Sequence, residues 1–100
     1  MDTKDKLREQ CQKIADEIGT GTYHASDYLN DALDIEYTID GNFEYLGTKL
    51  VVAWGPNIYI DTRHKVVRGY WGDDNVEVSY SDNGLGIDEY CRESYEETKC

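Results

Sequence analysis

The sequence predicts an α+β fold: two N-terminal helices, a four- or five-stranded antiparallel meander sheet and a C-terminal helix. Three observations carry this. Apolar residues near the N-terminus recur at the spacing of one helix face. From residue 35 to residue 80 the pattern changes to short runs, several strictly alternating, broken by brief turns. From residue 87 the helical spacing returns.

Taken in order, residues 4–18 predict the first helix. Leu7, Cys11, Ile14 and Ile18 form one apolar stripe, and Gly19 is the expected stop before the link "GTGT". Residues 26–33 predict a second, short helix with Ser26 as its N-cap and Tyr28, Leu29, Ala32 and Leu33 on one side. Ile35, Tyr37 and Ile39 then alternate with Glu36, Thr38 and Asp40, which marks a half-buried strand. "DGN" turns the chain into "TKLVVAW" (48–54), a continuous apolar run that suits a central strand. "GPN" leads to "IYIDT" (58–62), "RHK" to "VVRGYW" (66–71), and "GDDN" to "VEVSY" (76–80). Links this short join neighbouring antiparallel strands. The last helix runs from Gly86 or Ile87 to Lys99, with Ile87, Tyr90, Cys91, Ser94 and Tyr95 on its apolar side. Helices on one face of the sheet would leave the other face to water.

At 100 residues the chain is one domain, 1–100, with a single modest core. Apolar residues make up 39 % of it, and nine tyrosines must serve both core and surface. The net charge is −11, from 10 basic and 21 acidic side chains. Residues 71–100 hold nine of those acids against Arg92 and Lys99. Such a field repels nucleic acid and anionic membrane and attracts basic protein surfaces. Direct nucleic-acid binding and membrane association are therefore not expected. No apolar run approaches 18 residues, and "MDTKDKLREQ" lacks an apolar signal core. Three unevenly spaced cysteines, Cys11, Cys91 and Cys100, fit a reducing compartment. Cytoplasmic residence is the expectation.

Strand alternation assigns the acids a direction. If Ile35, Ile39, Ile58, Ile60, Val76 and Val78 face the helices, then Glu36, Asp40, Tyr59, Asp61, Tyr70 and Glu77 face outward. Asp73 and Asp74 would extend one edge of that face, and the helix acids Glu93, Glu96 and Glu97 a second ridge. Carboxylates at fixed spacing with rings between them match a site built for phosphates and stacked bases. Outward acids also serve solubility and guard sheet edges.

Sites for chemistry are harder to find. The possible metal ligands Cys11, His24, His64, Cys91 and Cys100 show no ligand-pair spacing, so no metal or cofactor is expected. Cys11 and Cys91 fall on apolar stripes, where a thiol is inert. "GTGT" and "GLG" are too short for a phosphate loop and lack its lysine. Arg63, His64, Lys65 and Arg68 form the only basic cluster, a solvated turn or a small contact for an anionic group. A non-enzymatic protein is the expectation.

The segment "LDIEYTID…LVVAWGPNIYIDTRHKVVRGYWG" resembles a group of small proteins carried by bacterial phages and other mobile elements. "GPNIYIDT", "VRGYWG" and the acidic C-terminal helix carry the resemblance, over roughly residues 33–97. In size and acidity the chain is also similar to anti-CRISPR proteins and other inhibitors of host defence. The resemblance implies a DNA mimic that blocks a basic nucleic-acid site on a Cas effector or other host defence complex. That class shares no residue signature, so the contact residues come from the strand pattern alone. The alternative is an acidic homodimer acting as a structural or regulatory accessory protein, with exposed rings meeting across a two-fold axis.

Overall fold

The computed structural model describes residues 3–21, 31–54, 56–81 and 86–99. It contains α1 (Thr3–Thr20), five strands and α2 (Ile87–Lys99). The strands are β1 (Asp34–Ile39), β2 (Tyr45–Ala53), β3 (Asn57–Asp61), β4 (Val66–Trp71) and β5 (Asp74–Ser79). They form one antiparallel sheet in the order β1-β2-β3-β4-β5, the expected meander.

The second N-terminal helix is not matched. Two helices are described, and residues 26–30 of the expected segment lie outside the described residues. The first helix does not stop at Gly19 either. It runs to Thr20, and Gly21 ends it with a φ of 72°, its amide donating a hydrogen bond to the Glu17 carbonyl. A left-handed residue is the usual helix terminator, and glycine adopts it without steric cost.

Both helices cover the same face of the sheet. Leu7, Cys11, Ala15 and Ile18 of α1 join Ile87 and Cys91 of α2 in one buried cluster with Leu50, Ile58, Ile60, Val67 and Val76. α1 lies across β4 and β5, and α2 lies over β2. Gly69 marks the closest approach of α1: a Cβ there would stand 2.7 Å from Leu7 Cδ1 and 2.8 Å from Cys11 Sγ. Under α2, tyrosine supplies the core. The Tyr95 ring lies 5.4 Å from that of Tyr37 and 5.6 Å from that of Tyr45. Their hydroxyls are satisfied, Tyr37 by Ser94 and Tyr45 by Thr48. Tyr90, expected on the same stripe, is instead 39 % exposed.

Three turns fix the sheet's outline. Asp40 closes the β1–β2 turn, its Oδ1 accepting from the amides of Asn42 and Glu44. A bulge between Thr38 and Ile39 breaks the strand alternation just before it. Asp61 closes the β3–β4 turn in the same manner, through the amides of Arg63 and His64. β5 begins two residues earlier than expected, so Gly72 and Asp73 alone form the β4–β5 turn between the paired Trp71 and Asp74. The positive φ of 60° at Gly72 is what a type II′ hairpin asks of its first central residue.

Candidate functional site

The sheet face away from the helices is built row by row from the register. One row runs Glu36, Lys49, Asp61, Val66, Ser79. The next runs Asp34, Val51, Tyr59, Arg68, Glu77, and a third Asn57, Tyr70, Asn75. Five of the expected contact residues therefore share this face: Glu36, Tyr59, Asp61, Tyr70 and Glu77. Direct cross-strand neighbours stand about 5 Å apart at Cβ, so unlike charges in one row meet.

They meet here in pairs. Lys49 Nζ lies 3.6 Å from Glu36 and 4.5 Å above the centre of the Tyr59 ring. Arg68 reaches Asp61 at 3.1 Å and Glu77 at 2.8 Å. His64 Nδ1 lies 2.9 Å from the second Asp61 oxygen. Partial burial pushes the Asp61 carboxyl up, but the hydrogen bonds from His64 and the cations around it outweigh that and hold it below the usual carboxylate range. Hydrogen bonding to Tyr59 and Glu77 holds Arg68 above its ordinary value, so it stays charged. Tyr59 and Tyr70 stack with ring centres 6.0 Å apart and hydroxyls 3.5 Å apart. That hydrogen bond, with partial desolvation, pushes the Tyr70 phenol up.

The open face is thus a mixed network, with four carboxylates (Asp34, Glu36, Asp61, Glu77) interlaced with Lys49 and Arg68. The remaining expected residues lie elsewhere. Asp40 is folded back into its own turn, because the bulge removes it from the alternating strand. Asp73 sits at the tip of the β4–β5 hairpin, and Asp74 is half-buried at the start of β5. Glu93, Glu96 and Glu97 are exposed on α2, in the opposite layer. Asp34, Lys49, Trp54 and Arg68 belong to the face and were not among the expected contacts. For Asp34, Lys49 and Arg68 the signal was the strand register, which requires pairing to be known; Trp54 lies one residue past the end of β2, outside that register.

Excess negative charge collects on α2. Glu89, Glu93 and Glu97 are exposed at successive i, i+4 positions, with Arg92 the one exposed cation among the described side chains of that helix. The helix is held at both ends. Asp88 accepts from Tyr80 at 2.6 Å and pairs with Lys65 at 3.2 Å, and the Tyr95 hydroxyl donates to the Phe43 carbonyl at 3.1 Å.

Cys11 and Cys91 are buried and neither is in a disulfide, and burial pushes the Cys11 thiol up. Among the described residues, no three His, Cys, Asp or Glu side chains are grouped to hold a metal ion, and no helix is long and apolar enough to cross a membrane. No protein-family model matches the chain, and no curated protein or solved structure is significantly similar to it.

Proposed function

We propose that the chain is a non-enzymatic inhibitor that binds a basic nucleic-acid-binding surface of a host defence complex, in the manner of anti-CRISPR proteins. The observation that carries this reading is the α2 ridge: Glu89, Glu93 and Glu97 exposed on a helix tied to the sheet at both ends. A helix held in place presents its charges at less cost than a mobile segment, because little backbone freedom remains to be lost on binding. At about 1.5 Å rise per residue, these carboxylates repeat every ~6 Å along the axis. One DNA strand carries a phosphate every ~3.4 Å, so the ridge is roughly half as dense. Charge alone would then compete weakly against DNA, and the exposed Glu44 of the β1–β2 turn, beside the Phe43 carbonyl that Tyr95 of α2 bonds, adds to it.

The internal pairing of Glu36, Asp61 and Glu77 moves the emphasis from the sheet to α2. Opposing such acids to a Cas channel or its PAM-reading arginines would release counterions and weaken with salt. The test is competition. The purified chain is added to DNA-loaded Cas effectors at low and high salt. Displacement of DNA at low salt, lost at high salt and abolished in a folded Glu89→Lys, Glu93→Lys, Glu97→Lys variant, is the expected result. A variant that displaces DNA as well as the parent refutes the ridge.

A second reading, an acidic homodimer of accessory role, is favoured by Trp54 and Trp71, 61 % and 45 % exposed. Sedimentation decides it: a dimer insensitive to salt, without affinity for DNA-binding partners, supports this reading over the first.

A further inference from the structure

The open face holds a hollow of about 300 Å³ where β1, β2, β3 and β4 meet. It is bounded by the rings of Trp54, Tyr59 and Tyr70 and by Asp34, Glu36 and Lys49. Ligand pockets run from ~300 to ~1,000 Å³, so this one lies at the small end of that range, with room for a single side chain. Two kinds of group converge on it, flat π-faces and carboxylates. Together they recognise a cation, the faces through their quadrupole and the acids through charge.

The molecule itself shows that the site takes a cation. Lys49 Nζ sits 4.5 Å over the Tyr59 ring and 3.6 Å from Glu36 Oε2, using one group of each kind. Yet it holds the place loosely. Both partners of that ion pair are about half exposed, and exposed pairs of this length contribute little. Among the described residues no cation pairs with Asp34, whose Oδ1 accepts from the Ile35 amide. Trp54, 61 % exposed, presents an indole that no described ring stacks against.

We infer that this hollow accepts an arginine side chain of a protein partner. A guanidinium suits it better than an ammonium. It is planar, stacks on aromatic faces, presents a fork to carboxylates and is less strongly hydrated. On binding it would lie between Trp54 and the Tyr59–Tyr70 pair, bridge Asp34 and Glu36, and displace the Lys49 head group to solvent. The net charge of −11 favours the approach of a basic partner. This contact lies in the layer opposite α2 and stands or falls apart from the acidic ridge.

The probe is a short glycine-flanked arginine peptide, compared with its citrulline counterpart, which keeps the shape and removes the charge. Binding is followed by amide and indole chemical shifts. Saturable shifts at Trp54, Tyr59, Asp34 and Glu36 with arginine, at least tenfold weaker with citrulline, are expected. Trp54→Ala and the pair Asp34→Asn, Glu36→Gln should each weaken binding several-fold, while Lys49→Met, which vacates the place, should strengthen it. The Glu89→Lys, Glu93→Lys, Glu97→Lys variant should bind the peptide as the parent does. Equal shifts with arginine and citrulline, or weaker binding by the folded Lys49→Met variant, overturn the inference. Shifts confined to α2 would overturn it as well, and would leave the ridge as the arginine-binding surface.

Discussion

Asp61 accepts four contacts through one carboxylate: the amides of Arg63 and His64, the His64 ring and the Arg68 guanidinium. It both closes the β3–β4 turn and anchors the charge network of the open face. Its folded pKa lies below the ordinary value, so the folded state binds fewer protons there than the unfolded chain. The stability this contributes is complete above the unfolded value, about 3.9, and is lost as the pH falls through the folded value. Asp61→Asn should cost about 2 kcal/mol at neutral pH, the scale of a hydrogen bond to a charged group. Measured by urea unfolding across pH, the gap between parent and variant should close below pH ~4. A gap that stays constant from pH 7 down to pH 3 would mean that the carboxylate charge is not what stabilises the turn.

Among elements, α1 depends on one missing side chain. Gly69 lets Leu7 and Cys11, both buried, settle against β4. An alanine there would press on two core atoms at under 3 Å. Overpacking of this kind costs about 1–3 kcal/mol, partly offset by ~0.4–1 kcal/mol from the stiffer unfolded chain. Gly69→Ala should therefore destabilise, lowering the melting temperature by roughly 5–10 °C for a domain of this size. An unchanged melting temperature would show that α1 can slide outward at no cost. Gly47 plays a similar part under the β3–β4 turn, where a Cβ would stand 2.5 Å from that of Arg63. The basic cluster is held over β2 by that absence. Sequence periodicity marks Gly69 as a break in an apolar strand, but only packing shows what fills the space.

For the whole molecule, the excess of acid is a standing cost. A net charge of −11 on 100 residues repels itself at low ionic strength. The Debye length shrinks from ~30 Å at 0.01 M salt to ~10 Å at 0.1 M and ~3 Å at 1 M, which screens the long-range repulsion first. The exposed ion pairs of the open face weaken too, but each contributes at most about 1 kcal/mol. The melting temperature should rise when sodium chloride is raised from 0.01 M to 0.5 M. A fall would mean that the open-face network outweighs the global repulsion.

The sequence alone determined the strand and helix periods, the meander and the burial of Cys11 and Cys91. Each of these follows from local spacing, short links or the apolar stripe, and none needs a distant partner. It also set the overall charge and its bias toward the last thirty residues. The pairing of charges was decided only by tertiary structure. Glu36 meets Lys49, and Asp61 and Glu77 meet Arg68, because register places residues from different strands in one row. The strand alternation that sent Asp40 outward failed at a bulge, which has no signature in a period of two. The hollow at Trp54 likewise exists only once four strands are side by side. Local sequence sets which way a side chain points, and the fold sets what it points at.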